Sequence, residues 1–319
     1  MIKKQIRLSK SVLSHLEKEA VMNVLDKEFL GMGHEVHEFE QLLEKYFQRK
    51  VTCVVNGTAA LHLALQACGI GVGDEVLIQS ITYIASLQAI TATGAKPIFC
   101  DIDPNTVTLK VSDLKNKLTT NTKAIMPVHF AGGGGNLDQI YDFAKNNNLR
   151  VIEDAAHAFG TIYQKKRIGS FGDIACFSFD GIKNITSGEG GCIVTNDKLI
   201  VEKIKDSRLL GVEKDSYARY KGERSWIFDV KEQGWRYHMS NIMAAIGIVQ
   251  LQRFDEFQKI RKDLSKFYTN LLIHQENIKL IKTDLDNTVM HIFPILVKNN
   301  FFRNKLREHL FEKGIQTGL

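Results

Sequence analysis

Phe177-Ser178-Phe179-Asp180-Gly181-Ile182-Lys183-Asn184-Ile185-Thr186-Ser187-Gly188-Glu189-Gly190-Gly191 is the stretch around which the rest of the chain is arranged. Lys183 stands alone in a run of small and apolar residues, with Ser178 before it and the turn Gly188-Glu189-Gly190-Gly191 after it. An amine is a nucleophile only when deprotonated, and low-dielectric surroundings favour its neutral form. Glycines next to it let a flat ligand come close. Taken alone, Lys183 also fits a surface lysine in a loop ahead of the strand Cys192-Ile193-Val194-Thr195, so the reading depends on partners elsewhere.

One partner lies in Arg150-Val151-Ile152-Glu153-Asp154-Ala155-Ala156-His157-Ala158-Phe159-Gly160. A short apolar strand ending in acidic residues presents a carboxylate at its carboxyl end, where α/β proteins place ligands. Asp154 is the candidate. A carboxylate beneath a pyridine nitrogen keeps that nitrogen protonated and makes pyridoxal phosphate an electron sink, so a lysine nucleophile and this carboxylate together imply that cofactor. The competing reading makes Asp154 the N-cap of a helix beginning near Ala155. A second partner is Val54-Val55-Asn56-Gly57-Thr58-Ala59-Ala60-Leu61-His62-Leu63-Ala64-Leu65, a strand that breaks and enters an apolar helix. Free N–H groups and the positive end of the dipole make such a terminus a phosphate site, which Ser178 would help to close.

These segments resemble the aspartate-aminotransferase-like fold and, more narrowly, the DegT/StrS-type sugar-nucleotide aminotransferases. The resemblance rests on Asn56-Gly57-Thr58-Ala59-Ala60-Leu61, Gly71-Val72-Gly73-Asp74-Glu75-Val76, Asp101-Ile102-Asp103-Pro104, Pro127-Val128-His129, Glu153 to His157, Gly169-Ser170-Phe171-Gly172-Asp173 and the lysine segment. It runs from about Gly31 to about Asp255. It implies an α/β, fold-type-I, pyridoxal-phosphate-dependent transferase with a mostly parallel large-domain sheet. Lys183 would hold the cofactor and shuttle the proton, with Asp154 under the pyridine nitrogen. His157 would lie near the ring hydroxyl and Tyr83 on the ring face, while Gly57, Thr58, Ala59 and Ser178 would hold the phosphate. Some relatives carry histidine in place of the lysine and act as dehydratases; Lys183 argues against that.

The chain has 319 residues, 44% of them hydrophobic, enough for a large core and more than one domain. Its formal net charge of +6 favours an anionic substrate, but Lys and Arg are scattered and no aromatic-interleaved basic block points to nucleic acid. Cys53, Cys68, Cys100, Cys176 and Cys192 show no paired metal spacing; they read as buried thiols in a reducing compartment, and no metal site is expected. No signal-like core and no run long enough to cross a bilayer is visible, so a cytoplasmic location is expected.

Residues 11–48 read as helical with a break at Gly31-Met32-Gly33. In the family such an arm packs near the active site and the dimer partner; packing on the large domain is the alternative. Strands are expected near 51–55, 75–79, 97–101, 123–128, 150–154, 174–178 and 191–195, with helices near 58–68, 83–93, 111–118 and 137–147. Gly94 closes the second of these helices. That alternation predicts a largely parallel sheet covered on both faces. A Rossmann fold is disfavoured, because no Gly-x-Gly-x-x-Gly follows the first strand. Gly132 to Gly135 read as a loop over the site, and His129 before them as either a cofactor neighbour or a packed histidine. His62 reads as structural.

Gly211 to Gly234 carries Lys214, Tyr217, Arg219, Tyr220, Lys221, Arg224 and Trp226, which suit a diphosphate and a base or else a solvated loop. In Gly234-Trp235-Arg236-Tyr237-His238-Met239, Arg236 stands where the family has an asparagine that reaches the phosphate of the neighbouring subunit's cofactor, and His238 where it has arginine. Arginine retains the ability to bind a phosphate. The resemblance implies a homodimer with shared active sites. Residues 241–252 and 254–272 read as two helices, the second with an apolar stripe of Phe257, Ile260, Leu264, Phe267, Tyr268 and Leu271. Strands at 278–281 and 290–297 and a helix at 301–313 would form a small α+β domain over 251–319, set against an arm and large domain over 1–250. Relatives continue past Leu319, so this domain is expected to be incomplete.

The resemblance implies transfer of the amino group of L-glutamate to a nucleotide-linked 4-keto-6-deoxy sugar. A 3-keto sugar, dehydratase or lyase chemistry, and a catalytically silent sugar-nucleotide-binding protein are the competing expectations.

Overall fold

Strands that are apolar at every position need cover on both faces. The structure, a computed structural model, describes residues 5–223 and 227–319. Its central sheet comprises β1 (Val51–Val54), β2 (Glu75–Gln79), β3 (Lys96–Cys100), β4 (Thr122–Met126), β5 (Arg150–Asp154), β6 (Ile174–Ser178) and β7 (Gly191–Val194). Their order across the sheet is β1-β7-β6-β5-β4-β2-β3. The pairings are parallel except those of β7, which runs antiparallel to both neighbours. The physical reason is the connection: β6 and β7 are joined by the Lys183 segment without a crossover helix, and only antiparallel neighbours can be joined that way. The segment therefore folds back at the carboxyl end of β6, beside the end of β5.

The helices are α1 (His15–Asp26), α2 (His34–Phe47), α3 (Gly57–Ala67), α4 (Ile84–Ala92), α5 (Val111–Lys117), α6 (Leu137–Asn146), α7 (Lys198–Ser207), α8 (Asp215–Tyr220), α9 (Asn241–Gln252), α10 (Phe254–Leu272) and α11 (Asn300–Glu312). One sheet face packs against Val36, Phe39, Leu43 and Phe47 of α2 and Ala244 and Ile248 of α9, with Phe159, Phe177 and Phe179. The other packs against α3, α4 and α7 through residues such as Leu61, Leu65, Ile90 and Ile200. A Ser14–Glu17 capping box starts α1. Gly94, at φ +86°, follows the end of α4 as expected.

Past α10, Ile278–Leu280 pairs antiparallel with Ile295–Val297. The strand expected from 290 begins instead at Ile295, because the residues before it dock into the large core. Val289 is fully buried, its N–H donates to Thr161 Oγ1 at 3.2 Å and its carbonyl accepts from Asn184 at 3.1 Å. These bonds replace a sheet ladder. Of the apolar stripe expected on α10, Phe257 is buried, whereas Ile260, Leu264, Phe267, Tyr268 and Leu271 are exposed.

Candidate active site

Successive side chains on a strand point to opposite faces, so the last two residues of β5 send their carboxylates to different places. Glu153 Oε2 lies 2.7 Å from His129 Nε2, and its Oε1 accepts from Tyr141 OH at 2.5 Å. His129 Nδ1 lies 3.2 Å from the Gly133 carbonyl. His129 is thus a packed, hydrogen-bonded histidine. Asp154 faces the other way: Oδ2 accepts from Ser86 Oγ at 2.6 Å and Oδ1 from the Ala156 N–H at 3.2 Å. No helix begins at Ala155; residues 155–160 form turns, and the capping reading of Asp154 falls. Ser86 sits in the first turn of α4, where its N–H donates to the Tyr83 carbonyl at 3.2 Å. Tyr83 itself is 74% exposed, so the turn that buries Ser86 against Asp154 leaves a tyrosine ring free.

Lys183 lies in the β6–β7 connection, its N–H donating to the Asp180 carbonyl at 3.0 Å. Burial lowers the pKa of its amine below 10.5, opposed by the charges of Asp154 and Asp180. The next residue pins the loop: Asn184 Nδ2 donates to the carbonyls of Phe159 and Val289, both at 3.1 Å. His157 lies on the same side. Burial, then the charge of Lys183, pushes its pKa down to about 3. Its ring centroid is 4.4 Å from that of His291, which burial, His157, Lys183 and Arg261 push down to about 2. The Nδ1 atoms of both rings are buried with no partner among the described residues. His291 was missed in the sequence, where it reads as part of a strand; its one signal is a histidine inside the apolar run Val289 to Phe293.

The phosphate-site candidates also meet. Asn56 caps α3 by accepting from the Ala59 N–H at 2.9 Å. A Cβ on Gly57 would lie 2.8 Å from Ser178 Cβ, so only glycine lets α3 approach β6 this closely. Thr58 is exposed at the same terminus, Ala59 is buried, and Ser178 Oγ accepts from the Asp180 N–H at 3.3 Å. The segment after Gly234 runs alongside: the Val55 N–H donates to the Tyr237 carbonyl at 2.7 Å. Arg236 is exposed there.

The model of the DegT/DnrJ/EryC1/StrS aminotransferase family matches residues 12–319. The chain belongs to this family. It is 40% identical over 316 residues to GDP-perosamine synthase of Escherichia coli O157:H7, covering 98% of this chain and 84% of that one. Its structure is similar to DesV of S. venezuelae in complex with a ketimine intermediate, with a TM-score of 0.85 and 32% identity over 94% of this chain and 78% of that one. It is also similar to Helicobacter pylori PseC, an aminotransferase involved in the biosynthesis of pseudoaminic acid, with a TM-score of 0.88 and 27% identity over 98% and 83%. The chain is accordingly a sugar aminotransferase of the expected α/β class and depends on pyridoxal phosphate.

This aminotransferase has residues that fit the cofactor. The Gly57–Ser178 approach leaves a helix terminus open beside β6, Lys183 is desolvated, and His157 Nδ1 lacks a partner. Other candidates are used within the chain. His62 packs against Trp235 and Tyr237, with ring centroids at 5.1 and 5.9 Å. Tyr220 OH bonds Glu40 and Arg208 at 2.5 Å, Tyr217 OH donates to Glu202 at 3.0 Å, and Arg219 pairs with Asp215 at 2.6 Å. Arg224 and Trp226 lie outside the described residues. Gly132, at φ +101°, lies against the backbone of His157 and Val289. Among the described residues, no group of three or more His, Cys, Asp or Glu is placed to hold a metal ion. No helix among them is long and apolar enough to cross a membrane.

Proposed function

We propose that this aminotransferase moves the amino group of L-glutamate onto a nucleotide-linked 4-keto-6-deoxy sugar, giving a 4-amino-4,6-dideoxy sugar nucleotide for surface polysaccharide or glycan biosynthesis. The observation that carries the reading is the desolvated Lys183 amine within range of the charge on Asp154. When bound, pyridoxal phosphate supplies the electron sink for a carbanion at the donor's α-carbon. Lys183 holds the cofactor and then moves the proton at that carbon. Burial raises the neutral fraction of its amine, and such placement of a general base is worth about 10²–10⁴-fold. Asp154, steadied by Ser86 and the Ala156 N–H, would hold the pyridine nitrogen protonated. Gly57, Thr58, Ala59 and Ser178 would hold the phosphate, Tyr83 would cover the ring, and neutral His157 would serve the ring hydroxyl.

In this reading the chain works in the cytoplasm as a homodimer in which Arg236 reaches the phosphate of the neighbouring subunit's cofactor. Exposed Leu13, Leu16, Met22 and Leu25, in and just before α1, with Phe29 and Leu30 after it, support an interface there. The chain divides near residue 250, where α9 ends, into an arm plus large domain and a smaller unit. The C4 assignment draws support from the similarity to GDP-perosamine synthase, whose product is a 4-amino sugar nucleotide.

The test is the visible spectrum of the purified protein with pyridoxal phosphate. We expect an absorption band that bleaches when L-glutamate is added, with release of 2-oxoglutarate, and no turnover by Lys183→Ala. A band that glutamate leaves unchanged removes the donor assignment, and substantial transamination by Lys183→Ala removes the lysine assignment. Offered GDP-, dTDP- and UDP-linked 4-keto-6-deoxy sugars, the aminated enzyme should yield a product whose NMR spectrum places nitrogen at C4. Nitrogen at C3 would overturn the sugar assignment.

A further inference from the structure

A cavity of about 280 Å³ opens beside Lys183, bounded by Gly181 and Asn184, by Lys10 to Val12 and by the first turns of α10. Its walls are largely apolar, from Val12, Phe257, Ile260 and Leu264, and its charged groups are Lys10, Lys183, Arg261 and Glu256. Glu256 already lies 3.5 Å from Arg253. Arg261 donates through Nη1 only to neutral acceptors, the carbonyls of Met290 at 3.3 Å and His291 at 3.1 Å. Among the described residues no carboxylate pairs with Arg261, Lys10 or Lys183. Beside the Lys183 amine, the cavity thus presents two unpaired cations, Lys10 and Arg261, against one committed carboxylate.

A guanidinium that is partly withdrawn from water without a counter-ion is costly, and an anion in the cavity would relieve that cost. Apolar walls with a few placed polar groups are the pattern of a small-ligand site, and this volume is at the small end of the usual range, about 300–1,000 Å³. It suits a small metabolite. Arg261 bonds the carbonyl of His291, the residue whose ring lies 4.4 Å from that of His157.

We propose that Arg261 anchors the side-chain carboxylate of the amino donor, so that this cavity selects a dicarboxylic amino acid. The inference rests on the proposed glutamate-dependent reaction and adds the residue that recognises the donor. Lys183 works at the donor's α-carbon, Arg261 takes the distal carboxylate, and Lys10 adds to the positive field at the cavity mouth.

The experiment is calorimetric titration of the pyridoxal-phosphate-loaded protein with glutarate, a dicarboxylate that has no amine and cannot react. Wild type should bind glutarate, and Arg261→Gln should bind it at least ~10-fold more weakly, the loss expected for a charge-assisted hydrogen bond. Arg261→Lys should fall between. Should Arg261→Gln fail to fold, Lys10→Gln at an exposed position decides, with an expected loss of about threefold. Equal affinity in wild type and variant, or no glutarate binding by wild type, overturns the proposal. If glutarate binds through Arg261 while L-glutamate leaves the absorption band unchanged, the reaction assignment fails and the dicarboxylate site stands.

Discussion

Glu153 and Asp154 leave β5 on opposite faces of the sheet, and each keeps different company. Glu153 has no exposed surface, and its two oxygens are engaged by His129 at 2.7 Å and by Tyr141 at 2.5 Å. That burial and the Glu153 charge push the Tyr141 phenol well above its usual pKa, so its hydroxyl stays a donor. Asp154 is 6% exposed and receives one hydroxyl and one backbone N–H, while the histidines on its side, His157 and His291, keep ring nitrogens without partners. Each carboxylate oxygen receives one donor on either face, so the difference lies in the neighbours. Buried ring nitrogens without partners beside a carboxylate leave capacity in reserve, and such incompleteness is the physical mark of a working site.

The sharpest way to break this comparison is Asp154→Asn. Single-turnover conversion with L-glutamate should fall on the order of 10²–10³-fold, the usual loss when an electrostatic stabiliser is removed. The unfolding midpoint should stay close to wild type, because the amide still accepts from Ser86. A variant that keeps its rate and loses stability would place Asp154 with Glu153 as a structural carboxylate.

The converse experiment is Glu153→Gln. Replacing one acceptor of this buried hydrogen-bonded network leaves a donor unsatisfied and costs on the order of 1–3 kcal/mol, read as a lower urea midpoint at unchanged slope. The rate per folded molecule should remain near wild type. A large loss of rate at unchanged stability would mean that the His129 network reaches the chemistry.

Much of this was legible in the chain. Each of the seven central strands lies within two residues of its expectation, because strands buried on both faces are apolar runs bounded by turn residues. Lys183 and Asp154 were legible for a related reason: each follows or ends such a run, next to residues that cannot continue it. The antiparallel direction of β7 was not, since a local apolar pattern has no sense of direction. Ser86 looks like any serine in an apolar helix, and its role comes from a carboxylate 68 positions away. His291 was hidden in a segment that reads as strand, where backbone bonds to Thr161 and Asn184 in fact hold the chain out of any sheet. Arg261 reads as the solvent side of an amphipathic helix, and only the docking of residues 288–291 partly covers it.

The smallest expected effect, in acid, sharpens the contrast between the two faces. His157 and His291 have pKa values of about 3 and about 2 in the folded protein, both lowered chiefly by burial from an ordinary 6.5. Above pH 6.5 both rings are neutral folded or unfolded, and the shift has no effect. As the pH falls below 6.5 the unfolded chain takes up protons that the folded protein refuses, so stability is lost progressively toward the folded-state values. His291→Asn removes one of these groups. Its unfolding midpoint should therefore decline less steeply than that of wild type between pH 6.5 and about pH 5, whatever its value at neutral pH. Differential scanning fluorimetry across that window reads the slope directly. An unchanged slope would mean that His291 takes a proton in the folded protein as readily as in the unfolded one. The Asp154 side would then be able to satisfy its own groups, as the Glu153 side does, and its unpartnered nitrogens would no longer distinguish it.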